Sequence, residues 1–102
     1  MKAIGLMTNK HGYGELYYEN GDVYKGHWKN NKRHGKGEFT SSHGGSFIGQ
    51  YLKDLKDGKG TETYSDDTKY DGSYRNNMRN GEGTLYLPDS SIYKGLFKNN
   101  QK

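Results

Sequence analysis

Residues 24–46 read YKGHWKNNKRHGKGEFTSSHGGS, and the pattern returns without an insertion as FIGQYLKDLKDGKGTETYSDDTK over 47–69 and as YDGSYRNNMRNGEGTLYLPDSSI over 70–92. A shortened copy, YKGLFKNNQK, occupies 93–102, and HGYGELYYENGDV at 11–23 fits the second half of one further copy. A fixed period of this size marks a repeat architecture, in which one supersecondary unit stacks on itself.

Numbered from Tyr24, each unit carries glycine at its third place (Gly26, Gly49, Gly72, Gly95), twelfth place (Gly12, Gly35, Gly58, Gly81) and fourteenth place (Gly14, Gly37, Gly60, Gly83). Aromatic rings fill the first place (Tyr24, Phe47, Tyr70, Tyr93) and the fifth (Trp28, Tyr51, Tyr74, Phe97) of every copy. In Tyr24-Lys25-Gly26-His27-Trp28 the large and small residues alternate with polar ones, which is the period of a strand with two unlike faces. Gly37-Glu38-Phe39-Thr40 and Gly83-Thr84-Leu85-Tyr86-Leu87 alternate in the same way, so each unit is predicted to be a β-hairpin. Asn20-Gly21, Asp57-Gly58 and Asn80-Gly81 supply the positive φ of tight turns, and Lys-Asn-Asn or Arg-Asn-Asn at 29–31, 75–77 and 98–100 mark the other ends of those loops. Pro88 falls between strands, where a missing N–H does least harm. The expected fold is all-β: about eight short strands in a single-layer, twisted antiparallel meander.

A glycine inside a strand normally weakens it, so one recurring at a fixed place needs a reason. Space for a ring from the neighbouring strand is that reason, as in the pairing that rescues edge glycines. One face of the sheet should then be aromatic and the other polar.

YxGxW, with a GxG pair following at a 23-residue period, resembles the MORN repeat (membrane occupation and recognition nexus), and the resemblance runs from His11 to Lys102. Two departures stand out. The eighth place, often glycine in that family, holds Asn31, Asp54, Asn77 and Asn100, and Glu62 stands where Phe39 and Leu85 are apolar. Residues 1–10 keep only Ala3 and Gly5 of the pattern, so they read as a degenerate unit or a capping strand. The resemblance implies a twisted sheet whose aromatic groove or strand edges bind helical or extended segments of partner proteins, with self-association a further option. It also implies settings such as ciliary axonemes, radial spokes, cytoskeletal rings and junctional membrane proteins, or an appendage of a lipid kinase or methyltransferase.

Composition bounds the rest. A hydrophobic fraction of 28% is too low for a conventional core, yet ten tyrosines are too many for a disordered tail. The net charge of +4 is spread over both signs without a run of five like charges, which points to solvation and makes anionic lipid a weaker partner than protein. Nucleic acid is disfavoured because Asp and Glu interrupt the basic and aromatic residues throughout. Without cysteine there are no disulfides or thiolate metal sites. No apolar run approaches the ~20 residues that span a bilayer, and MKAIGLMTNK lacks a secretory core, so an intracellular, soluble protein is expected.

No catalytic, metal or cofactor site is expected. His11, His27, His34 and His43 show no HxxxH or HExxH spacing. Gly12-Tyr13-Gly14 and its equivalents lead into no helix, and Ser41, Ser42 and His43 have no acidic partner placed by a motif. Partner binding is expected on the aromatic face, through Tyr24, Trp28, Phe39, Phe47, Tyr51, Tyr70, Tyr74, Leu85, Tyr93 and Phe97, because a single layer leaves that face uncovered and so large an apolar patch attracts a guest. A non-catalytic scaffold in a ciliary or cytoskeletal assembly is the reading this favours. A peripheral module on anionic membrane, or a regulatory subunit of an enzyme complex, is the alternative.

Overall fold

A computed structural model describes residues 2–4 and 11–101. Among the described residues nine strands form one sheet in strict sequence order: β1 (Lys2–Ile4), β2 (Gly12–Tyr17), β3 (Val23–Lys29), β4 (Lys32–Ser41), β5 (Gly45–Leu52), β6 (Leu55–Thr63), β7 (Lys69–Arg75), β8 (Met78–Tyr86) and β9 (Ile92–Phe97). Strands β2 to β9 are an antiparallel meander in one open layer, as the repeat predicts. The short β1 departs from it, pairing parallel to β2 with Lys2 opposite Glu15. The rest of the proposed 1–10 cap lies outside the described residues.

The register aligns the glycines of the third and fourteenth places into one row across all eight antiparallel strands, from Gly14–Gly26 through Gly49–Gly60 to Gly83–Gly95. The row is sterically obligatory. A Cβ on Gly60 would stand 2.5 Å from Cε1 of Phe47, and one on Gly37 would collide with the ring of Tyr24.

The turns differ in one respect from the expectation. Asp57-Gly58 and Asn80-Gly81 lie inside β6 and β8, not in loops. The hairpin turns are instead the pairs at the seventh and eighth places, Asn30-Asn31, Lys53-Asp54 and Asn76-Asn77, with φ between 50° and 72° at both residues of each pair. Two successive positive φ angles give the turn whose twist matches that of the flanking strands, and Asn and Asp reach that region at least cost. The twelfth-place glycines Gly35, Gly58 and Gly81 serve a bulge. Gly35, at φ 82°, sits in the middle of three β4 residues that face the single His27 of β3. Asn20-Gly21 is a turn as predicted, with Gly21 at φ 97°.

Candidate interaction surfaces

The rings of the first and fifth places form one continuous edge-to-face chain. It runs Trp28, Tyr24, Tyr51, Phe47, Tyr74, Tyr70, Phe97, Tyr93, with centroids 5.0–5.4 Å apart and planes crossed by 78–89° at every step. Each such contact adds about 0.5–1.5 kcal/mol beyond the area it buries. Local geometry locks the first-place rings: Tyr24 lies across Gly26 of its own strand and Gly37 of the next, and its hydroxyl donates to the His27 carbonyl at 3.0 Å. That carbonyl belongs to the residue the β3–β4 ladder skips. Tyr70 and Tyr93 repeat the bond to Ser73 and Leu96, while Phe47 has no hydroxyl to give.

Side chains from the tenth place cover the rings from above. Arg33 lies 4.9 Å from the Tyr51 ring and 5.9 Å from Tyr24, Lys56 lies 4.8 Å from Phe47 and 5.7 Å from Tyr74, and Arg79 lies 5.4 Å from Phe97 and 5.7 Å from Tyr70. A cation over a ring face contributes about 0.5–2 kcal/mol, more as it loses water. Each tenth place is also clasped from the following unit. The side-chain oxygens of Asp54, Asn77 and Asn100 accept the backbone N–H of Arg33, Lys56 and Arg79 at 2.7–2.8 Å, and their own N–H groups donate back at 2.9–3.0 Å. The departure from glycine at the eighth place is thereby explained: the residue must both turn the chain and tie two units together.

Glu62 sits within this layer. Its Oε1 accepts from Lys56 Nζ at 3.0 Å and from the Tyr74 hydroxyl at 2.8 Å. Burial pushes the Tyr51 hydroxyl up to about 12 and raises Tyr24 as well; Tyr74 is raised by burial first and then by the Glu62 charge.

Of the ten residues expected to meet a partner, eight are therefore buried in the free chain. Tyr24 and Tyr70 are at 0% exposure, and Trp28, Phe47, Tyr51, Tyr74, Leu85 and Phe97 lie between 1% and 5%. Phe39 and Tyr93 are half-buried. The premise that a single layer leaves the rings open is corrected: the crossed rings, the glycine row and the tenth-place cations supply the cover a second layer would. Arg33, Lys56 and Arg79 are not among the site residues expected from the sequence. Their recurrence at one place in three successive units was the signal that separates them.

The opposite face is the open one. Its cross-strand neighbours include Leu52 with Leu55 and Tyr86 with Ile92. Among the described residues, the seven exposed large hydrophobics occupy strand places that alternate away from the rings: Tyr13, Ile48, Leu52, Leu55, Tyr86, Ile92 and Leu96, at 36–66%. Two hollows open there. One of about 630 Å³ includes Asp71, Glu82, Thr84 and Leu96, and one of about 350 Å³ includes Tyr13, His27, Glu38 and Ile48. Among the described residues no three His, Asp or Glu side chains converge as a metal site would require, and no helix is long and apolar enough to cross a membrane.

A family model described as MORN repeat matches residues 9–23, 24–46, 47–69 and 70–92, with boundaries after the first that coincide with the 23-residue units. A comparison with curated proteins found no match.

Proposed function

Because the chain belongs to the MORN repeat family, whose repeats are protein- and membrane-interaction modules, we propose that it is a non-catalytic adaptor that binds a partner protein on the face opposite its ring ladder. The observation that carries this is the segregation to that face of the seven exposed large hydrophobics among the described residues. Apolar side chains gathered on one surface and flanked by charge are the usual anatomy of a protein interface. The flanking charges alternate in sign, with Lys25 opposite Glu38 and Lys94 opposite Thr84 beside Glu82, so the fitting guest is an amphipathic segment with mixed charge on its flanks. The settings of the family favour a ciliary or cytoskeletal assembly as the place where this binding is used.

The test is capture of binding proteins by the tagged chain at physiological and at raised salt, with mass spectrometry, using Ile48→Asp, Leu96→Asp and a control in an exposed turn, Glu19→Ala. Both aspartate variants should keep their circular dichroism and melting temperature and lose the defined partner, while the control retains it. Capture unaffected by Ile48→Asp and Leu96→Asp but abolished by Phe39→Ala or Tyr93→Ala would move the docking surface to the aromatic side.

A further inference from the structure

We propose that Ser65 is a phosphorylation site and that its phosphate docks on Arg79. Tyr64, Ser65, Asp66, Thr68 and Arg79 line one hollow of about 370 Å³. Arg33 and Lys56, at the place of Arg79 in the two earlier units, meet carboxylates at 3.2 and 3.0 Å. Neither of these ion pairs has a counterpart on Arg79 among the described residues. Its one side-chain hydrogen bond there runs from Nη2 to the Asn100 carbonyl at 3.0 Å, and its Nε is buried without a partner. Asp66 borders the same hollow, but its Oδ1 accepts the Thr68 N–H at 2.9 Å. The hollow therefore holds a guanidinium with donors to spare.

The Ser65 hydroxyl is presented for modification. The residue is exposed in a turn that two backbone bonds close, Tyr64 N–H to the Thr68 carbonyl at 2.7 Å and Asp67 N–H to the Tyr64 carbonyl at 3.0 Å. The hydroxyls of Ser42, Thr68 and Ser91 are taken up by Asp22, Asp66 and Asp89, whereas that of Ser65 makes no hydrogen bond among the described residues. Of the serines and threonines in the chain, Ser65 alone is followed directly by two acids, Asp66 and Asp67. The same place holds Ser42 before His43-Gly44 one unit earlier and Pro88 one unit later. The fold thus does not require Ser-Asp-Asp at this turn, and hydroxyl followed by acid is the charge pattern that a kinase with a basic substrate groove selects.

In the transfer, Ser65 Oγ attacks the γ-phosphorus of ATP held by such a kinase. The hydroxyl proton passes to the kinase's base, the Oγ–P bond forms, and the bond to the departing ADP breaks. The ester carries about −1.5 to −2 charge near pH 7, and a planar guanidinium suits its oxygens. Arg79 is already held in place over the faces of Tyr70 and Phe97, at 5.7 and 5.4 Å. Ser65 also borders a second hollow with His43 and Lys56, but there the ammonium is paired with Glu62 at 3.0 Å. Phosphorylation thus ties the 64–68 turn to the ring layer of the third unit. The inference does not rest on the partner face.

The full chain, incubated with ATP and a serine/threonine kinase directed to acidic sequences, should take up phosphate that mass spectrometry maps to Ser65, and Ser65→Ala should lose it. The second ionisation of the phosphate, followed by phosphorus NMR, should have its midpoint about half a pH unit or more lower in the folded chain than in a phosphorylated peptide of residues 60–70, because a neighbouring cation favours the dianion. Arg79→Gln should erase that difference. Asn100→Asp, which keeps the arginine over its rings and gives it a carboxylate within the chain, should shrink it, and this variant guards against a loss of fold in the first. Absence of phosphate from Ser65, a midpoint equal in chain and peptide, or a midpoint that Asn100→Asp leaves unmoved would overturn the inference.

Discussion

Units 24–46 and 47–69 share one backbone register and solve the same electrostatic problem differently. Each places a cation above two rings, Arg33 over Tyr51 and Tyr24, Lys56 over Phe47 and Tyr74. In the first unit the balancing carboxylate comes from the eighth place of the following unit, where Asp54 meets Arg33 Nε at 3.2 Å, and the sixteenth place is the apolar Phe39. In the second, the eighth-place residue is the neutral Asn77, and the carboxylate has moved to the sixteenth place as Glu62, 3.0 Å from Lys56. In these two units one negative charge thus stands within reach of the half-buried cation, and two different places supply it. Charge burial without a partner is expensive, so the apparent misfit of Glu62 is the second unit's counterpart of Asp54. The third unit has neither: Asn100 and Leu85 fill the two places, and Arg79 Nε is buried without a hydrogen-bond partner.

The largest expected effect removes the distinction by breaking both units together. Tyr24, Tyr51 and Tyr74 are raised above the ordinary phenol range of about 10, Tyr51 to about 12. Below pH ~10 these hydroxyls keep their protons in both the folded and unfolded chain, and their contribution to stability is fully present. Above it the unfolded chain releases protons first, so stability falls with rising pH, by up to ~1.4 kcal/mol per pH unit for each group, until the folded values are passed. Cooperative loss of near-ultraviolet circular dichroism is expected between pH ~10 and ~12, coincident with phenolate absorbance. Gradual phenolate absorbance with the fold intact would show that the rings are accessible after all.

A smaller effect tests the second unit's arrangement alone. Lys56→Met removes the ammonium that pairs with Glu62 and leaves its carboxylate to tyrosine hydroxyls, Tyr74 at 2.8 Å first, and should cost about 1–3 kcal/mol. Adding Glu62→Leu, which copies the sixteenth place of Leu16 and Leu85, should restore most of that loss in a denaturant titration, since an ion pair replaced whole by apolar groups is often neutral. A double variant no better than Lys56→Met would mean that the lysine stem over Phe47, not the charge balance, carries the energy.

Much of this was open to reading in the sequence, and the failures have physical causes. The period, the two-faced strands, the meander and the need for bare glycine beneath a ring all follow from spacing, because a ring at the first place and a glycine at the fourteenth can meet only in an antiparallel hairpin. Turn placement did not follow, since Asn-Asn and Asp-Gly both offer positive φ and only the register shows that Gly58 belongs to a bulge. The fate of the ring face was misjudged because edge-to-face contact across strands depends on sheet twist, which no pattern of residues displays. The tenth-place cations and eighth-place acceptors are coupled across 21 residues, a relation visible only when neighbouring units are read together.

The smallest effect carries the first unit's solution into the third. Asn100→Asp puts a carboxylate where Asp54 stands relative to Arg33, keeping the oxygen that accepts the Arg79 N–H at 2.8 Å and offering charge to the buried Nε that has no partner. The turn should tolerate the change, because Asp54 already holds φ 72° at the equivalent place and Asn100 is at 71°. The gain is limited to about 0.5–1 kcal/mol, since the site lies near solvent and the new ion pair is screened. A rise in denaturation midpoint that shrinks in high salt is the expected result. The matching removal, Asp54→Asn, should lower stability by a similar amount with the same salt dependence. If Asn100→Asp is neutral while Asp54→Asn is costly, the two junctions differ in more than their carboxylate, and the balance of one charge per cation holds only for the first.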